Sequence, residues 1–281
     1  VGFETARVVA KYAKLVIITG YNAERLKLSE QAIQEEIPHA NIRRLILDQS
    51  SLASVRKAAE VVNTTPDPLH VLINNASAPI GAFKLTEDGL ERQFATDHVG
   101  PFLLTKLLAP KLLAAQTPTY TPRVVFVSST GHTPVDFDVL ATPDPAKHDD
   151  YDVYSQAKSA NILTALELSK RSKGTINAYG LHPGIYWVPT ENRTKNTPGK
   201  QFPRVLPRTS NQFAYCAMQV VNPFLRTVTA AFDPRLSDKP GAFLEDCTVA
   251  NNQAAPHAVD PANAERLWKV TEKIIGETFT F

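Results

Sequence analysis

The run Val124-Val125-Phe126-Val127-Ser128-Ser129 decides the fold. Four uninterrupted apolar residues of strand length, with no polar alternation, describe a strand buried on both faces. The helical pattern Gly89 to Leu113 precedes it, and another opening at Asp152 follows it. Working outward, the same alternation recurs. Gly2 to Tyr12 reads as an amphipathic helix and Leu15 to Thr19 as a strand ended by Gly20. Asn22 caps a helix that lasts to Pro38. Leu45-Ile46-Leu47 is a strand closed by Asp48, and Ser51 to Val62 a helix. Pro66 and Pro68 break the chain before the strand Val71-Leu72-Ile73. Ile176 to Gly180 is the last internal strand, with a further strand over Gly241 to Cys247 and a closing helix from Pro261 to Gly276. The proline-rich, acidic stretch Thr133 to Asp152 reads as loop. Uniformly apolar strands separated by helices imply a mostly parallel, doubly wound, Rossmann-like α/β sheet covered on both faces.

Composition agrees with one such domain over residues 1–281. Of the 281 residues 43% are hydrophobic and 21% charged, which is ordinary for a globular chain with a large core. The net charge of +2, with both signs interspersed, points to no nucleic-acid partner. Two cysteines, Cys216 and Cys247, are too few for a disulfide framework and fit a reducing compartment such as the cytoplasm. The longest apolar run, Pro101 to Ala115, is interrupted by Lys106 and Lys111, so no transmembrane segment is expected.

In doubly wound sheets ligands bind at the carboxyl ends of the strands. Asp48, Asn74-Asn75-Ala76-Ser77, Ser128-Ser129 and His182-Pro183-Gly184 all stand there. Each alone is also an ordinary turn. The stretch Tyr154-Ser155-Gln156-Ala157-Lys158 adds chemistry, because residues four apart share a helix face. A cation held beside the Tyr154 hydroxyl favours phenolate over phenol and makes a candidate acid/base.

Together these motifs, in this order and spacing, resemble the short-chain dehydrogenase/reductase family. The resemblance is carried by Gly2 to Arg7, Leu47 to Arg56, Leu69 to Ala76, Val127-Ser128-Ser129, Tyr154 to Leu163 and His182-Pro183-Gly184. The long gap from Ser129 to Tyr154 is most similar to the retinol dehydrogenase and WW-domain oxidoreductase branch. The resemblance implies an NAD(P)(H)-dependent oxidoreductase interconverting an alcohol and a carbonyl on a small, apolar substrate, with no metal. Tyr154 would be the acid/base, Lys158 would hold the nicotinamide ribose, and Ser129 would orient the substrate oxygen. Asp48 would take the adenine amino group, while Gly2, Asn75, Ala76, Pro183 and Gly184 would line the cofactor. A homo-oligomer is compatible with the family.

Three departures stand out. The glycine-rich turn and the strand before it are absent from this sequence, leaving only its last glycine, Gly2. A chain beginning at Val1 is therefore expected to leave the middle of its sheet open and to bind cofactor poorly, and the alternative reading is a catalytically silent scaffold. Asp97 stands where the family has an asparagine whose main-chain carbonyl anchors a water. As an ionised neighbour it would weaken the effect of Lys158 on Tyr154. Tyr21 occupies the place of an arginine for the adenosine 2′-phosphate, yet neither Thr19 nor Gly20 is an acid suited to a free 2′-hydroxyl. The balance leans to NADP(H) over NAD(H). Residues 185–235 would form the substrate loop. Its aromatics Tyr186, Trp187, Phe202, Phe213 and Phe224 serve equally as core or as substrate wall. His182 and Cys247 lack catalytic partners and read as structural.

Overall fold

A computed structural model of the chain describes residues 1–184 and 223–281. Most of the expected substrate loop, with Tyr186, Trp187, Phe202, Phe213 and Cys216, lies outside the described residues.

The elements follow the sequence pattern. In order they are α1 (Gly2–Val9), β1 (Val16–Gly20), α2 (Ala23–Glu36), β2 (Ile42–Ile46), α3 (Leu52–Asn63) and β3 (Val71–Asn74). A helical turn α4 (Arg92–Phe94) then widens into a π-helical turn over Ala95–Val99 and continues as α5 (Gly100–Leu113). After it come β4 (Arg123–Val127), α6 (Phe137–Ala141), α7 (Asp150–Arg171) and β5 (Asn177–Leu181). The described chain resumes with α8 (Pro223–Phe232), β6 (Phe243–Glu245), β7 (Thr248–Val249) and α9 (Pro261–Ile275). Side-chain caps open the helices: Asn22 accepts from Arg25 N, Ser51 from Ser54 N, Asp149 from Tyr151 N and Asp152 N, and Asp260 from Ala262 N.

Strands β3, β4, β5 and β6 are parallel neighbours, and β7 adds an antiparallel edge. Every residue of β4 and β5 is buried. The period-two alternation of a strand divides β4 between two cores. Val124 and Phe126 face α5 and α7, with Phe102, Leu103, Leu163 and Leu168. Val125 and Val127 face α8, packing with Tyr179, Leu181, Ala230 and Ala231. This is the doubly wound arrangement expected from the uniformly apolar run.

The structure differs from the sequence reading in four places. Strand β2 begins at Ile42, because the exposed Arg43 and Arg44 pair in register with Ile17 and Ile18 of β1 although they are polar. The long helix starts at Arg92 and carries the π-turn. The acidic loop after β4 contains α6, capped by Asp136. The last strand is a hairpin, with Asp246 (φ 49°) and Cys247 (φ 64°) both left-handed at its turn.

Strands β1 and β2 form their own parallel pair, over a cluster of Ala10, Ile33, Ile37 and Ile42. Among the described residues no ladder joins β1 to β3. Val16, Ile17 and Ile18 of β1, and Val71, Leu72 and Ile73 of β3, are only partly buried, unlike the apolar residues of β4 and β5. An edge with one laddered neighbour opens at lower free energy than a strand paired on both sides. In native-state hydrogen exchange the amides of β4 and β5 are thus expected to exchange slowest and those of β1 and β3 measurably faster; equal protection across all four strands would contradict this.

Candidate active site

The caps of α7 decide which face it presents to the sheet. With Asp149 fixing its first turn, Tyr154 and Lys158 fall on one face, and the Lys158 Nζ lies 5.3 Å from the centroid of the Tyr154 ring. Tyr154 is half-buried, whereas Lys158 is 2% exposed. A buried ammonium needs partners. Lys158 Nζ stands 2.8 Å from Asp97 Oδ2 and 3.5 Å from the Val127 carbonyl oxygen, which also accepts from Asn161 Nδ2 at 3.1 Å. The Ser128 hydroxyl donates to the Lys158 carbonyl at 2.6 Å and ties α7 to the end of β4.

Asp97 is fully buried within the π-turn. Its Oδ1 accepts from Ala78 N at 2.7 Å, and its Oδ2 accepts the Ser77 hydroxyl as well as facing Lys158. The carboxylate itself, rather than the main chain alone, therefore meets the lysine. Inserting one residue into a helix re-aims the side chains that follow, and π-turns collect at functional sites for that reason. The turn also lies close against the loop after β2. A Cβ on Gly100 would overlap the Gln49 carbonyl oxygen, so glycine is required there.

Ser129 ends β4. Its Oγ accepts from Gly131 N at 3.1 Å, which leaves its own hydrogen free to donate. The Tyr151 hydroxyl lies beside Gly131, and the Tyr151 ring is 6.0 Å from that of Tyr154. Tyr151, in the first turn of α7, thus stands beside both the loop after β4 and the Tyr154 ring.

The remaining expected residues line the carboxyl ends of the strands. A Cβ on Gly2 would stand 2.7 Å from Asn75 Nδ2, so the start of α1 abuts the loop after β3. Ala76 is exposed beside the Ser77-Ala78 segment that holds Asp97. Asp48 accepts from Ser50 N at 2.9 Å and from the Ser50 hydroxyl at 2.6 Å through one oxygen, bracing its own loop. Tyr21 follows β1 and is 69% exposed. Gly184, at φ 92°, has the Arg226 guanidinium packed where a side chain would be, and Arg226 pairs with Asp246. Pro183 and Gly184 are both buried.

Two histidines near Ser129 carry no sequence motif that marks them as site residues. His182 Nδ1 accepts from Thr130 N at 3.2 Å, and His132 Nδ1 pairs with the Ser129 carbonyl oxygen at 3.0 Å. The only local signal was their position, just past a strand end.

The model of the short chain dehydrogenase family matches residues 1–200. The chain belongs to the short-chain dehydrogenase family. Among relatives of this dehydrogenase, short-chain dehydrogenase TIC 32 A, chloroplastic, of Brassica napus is 32% identical, over 98% of this chain and 85% of its own length. The WW domain-containing oxidoreductase of Danio rerio is 33% identical, over 100% of this chain and 67% of that protein. Among solved structures, a protein from Mycobacterium paratuberculosis matches with a TM-score of 0.71 and 25% identity, covering 100% of this chain and 92% of that one. The NADPH-bound carbonyl reductase from chicken fatty liver shares the fold, with a TM-score of 0.58 and 19% identity over 89% of this chain and 92% of that one. This dehydrogenase is accordingly an oxidoreductase acting between CH–OH and C=O. Among its described residues no helix is long and apolar enough to cross a membrane.

Burial gives the dehydrogenase an acid-sensitive fold. Burial, and next the Arg226 cation, bring His182 down from 6.5 to about 4. Burial alone brings His98 down to about 3. Thr271 donates its hydrogen to the Leu267 carbonyl and so accepts from His98 Nε2, 2.9 Å away, which places a ring hydrogen on Nε2. Both folded values lie below the ordinary one, so the unfolded chain takes up protons first. Their contribution is complete above about pH 6.5 and is lost as pH falls through about 4 and then about 3. The thermal midpoint should drop across that window, and replacing His98 with Gln should flatten the dependence. A midpoint constant from pH 7 to 4 would contradict the assignment.

Proposed function

We propose that this dehydrogenase interconverts an alcohol and a carbonyl on a small apolar substrate, with Tyr154 as acid/base and a nicotinamide cofactor, NADP(H) in preference to NAD(H). The observation that carries the reading is the buried Lys158 cation, held by Asp97 on the Tyr154 face of α7. The residues suit the cofactor: Gly2 and Asn75 meet at the strand ends, and Asp48 keeps one carboxylate oxygen outside its own loop contacts. Gly2, Tyr21, Asp48, Asn75, Ala76, Tyr154, Lys158, Pro183 and Gly184 would hold it. Preference for the phosphorylated form is supported by the lack of an acid at Thr19 or Gly20.

When bound, the cofactor supplies or accepts the hydride. The chain's residues handle the proton. In reduction, Tyr154 gives its hydroxyl hydrogen to the carbonyl oxygen as the carbon becomes tetrahedral, and the tyrosinate left behind is stabilised by Lys158. In oxidation, the same oxygen takes the alcohol proton. Ser129, whose Oγ already accepts from Gly131 N, donates to the substrate oxygen and keeps it in line with Tyr154. Asp97 fixes Lys158 and tempers its field. The silent-scaffold reading is not favoured, because Ser129, Tyr154 and Lys158 are all present.

Replacing Tyr154 with Phe removes only the hydroxyl, and with it the proton donor. Turnover of a panel of apolar aldehydes and ketones should fall by about 10²–10⁴-fold with cofactor affinity retained. Unchanged turnover would sink the assignment.

A further inference from the structure

One peptide group beside the proposed catalytic serine is held at both ends by histidine. The carbonyl oxygen of Ser129 and the amide N–H of Thr130 belong to the same planar unit. The carbonyl lies 3.0 Å from His132 Nδ1, and the N–H donates to His182 Nδ1 at 3.2 Å. The partners settle each ring's proton. Ala255 N donates to His132 Nε2 at 2.8 Å, so that nitrogen is an acceptor and Nδ1 carries the hydrogen given to Ser129. In His182, Nδ1 is the acceptor, so its hydrogen is on Nε2. The two rings therefore have opposite neutral tautomers.

We propose that His132 and His182 are positioning residues that clamp the Ser129–Thr130 peptide plane and so fix the Ser129 hydroxyl. This deepens the proposed acid/base site and rests on that reading for its kinetic consequences. Neither ring acts on the substrate directly. The clamp has an anchor on each side. His132 packs edge-on against Phe243 of β6, with ring centroids 5.8 Å apart, and is pinned by the backbone of the segment between β7 and α9. His182 is 6% exposed and opens the His182-Pro183-Gly184 turn, over which Arg226 packs, paired with Asp246. Burial, and next the adjacent Arg226 cation, opposes protonation of His182 and keeps its Nδ1 available to Thr130. The turn proposed to line the cofactor and the serine proposed to hold the substrate are thereby joined through one hydrogen bond. Rotating the 129–130 peptide would break both contacts together and displace the serine hydroxyl. A misplacement of about 1 Å at a reacting centre costs roughly 10²-fold in rate.

The test combines ring-nitrogen NMR of the full chain with two pairs of variants. In the wild-type protein at neutral pH, ¹⁵N shifts should show the hydrogen of His132 on Nδ1 and that of His182 on Nε2. Asparagine places an amide donor or acceptor near the histidine Nδ1, whereas leucine places none. His132→Leu should lower kcat by up to about 10²-fold, leave the dissociation constant for NADPH within twofold, and shift the amide resonances of Ser129 to Gly131. His132→Asn should recover much of the loss, and His182→Leu and His182→Asn should differ in the same sense. If a leucine variant fails to fold, the wild-type tautomers and the asparagine variants still decide. The reverse tautomers, charged rings at neutral pH, or leucine variants with unchanged Ser129 to Gly131 resonances would overturn the clamp. A wild-type protein without any turnover would defeat the proposed function instead, while the tautomers and resonances would still judge the clamp.

Discussion

The candidate site depends on one buried ion pair. Lys158 is 2% exposed and Asp97 is fully buried, and each is the other's ion-pair partner in that interior. Their 2.8 Å contact spans two elements that arrive from distant parts of the chain, the π-turn before α5 and the third turn of α7. Desolvation makes such a pair costly unless the remaining lone pairs are used, and here Ser77 and Ala78 N complete the carboxylate. The pair is thus a device of placement more than of stability. It holds a cation under the Tyr154 ring while drawing on the loop after β3.

The sheet explains why these groups meet. Parallel strands bring their carboxyl ends to one edge, so Ser129 after β4 and Pro183-Gly184 after β5 are neighbours by topology alone. The close seating of α7 on β5 is made by Gly180, whose missing side chain lets the Ile162 backbone approach; a Cβ there would be 3.2 Å from Ile162 Cα. Rigid support is concentrated at this centre. The β1–β2 pair, with its partly exposed apolar residues, contributes less order to the edge where Tyr21 and Asp48 stand.

Much of this was legible in the sequence. Runs such as Val124 to Val127, of strand length and rich in β-branched residues, read as doubly covered strands, and the four-residue spacing of Tyr154 and Lys158 gives a shared face once the segment is helical. Other features had no local signature. A π-turn adds one residue to a helix whose composition is unchanged, so the backbone device that carries the Asp97 carboxylate to Lys158 emerges only with the structure. Helix α6 was hidden because Pro134 and the acidic residues around it speak for loop, although Asp136 is a good cap. His182 reads as structural in the sequence and His132 has no assigned role there, because their partners are main-chain groups, which sequence spacing does not reveal.

The claim that the Asp97–Lys158 pair organises the site is tested most directly by a double-mutant cycle on unfolding free energy, using Asp97→Asn, Lys158→Met and the two together. Breaking a buried pair from one side typically costs about 3–5 kcal/mol, while removing both charges costs far less than the sum. The account predicts strong non-additivity, with the double variant more stable than the sum of the single losses allows. Additive losses would mean that the two charges do not interact in the folded protein.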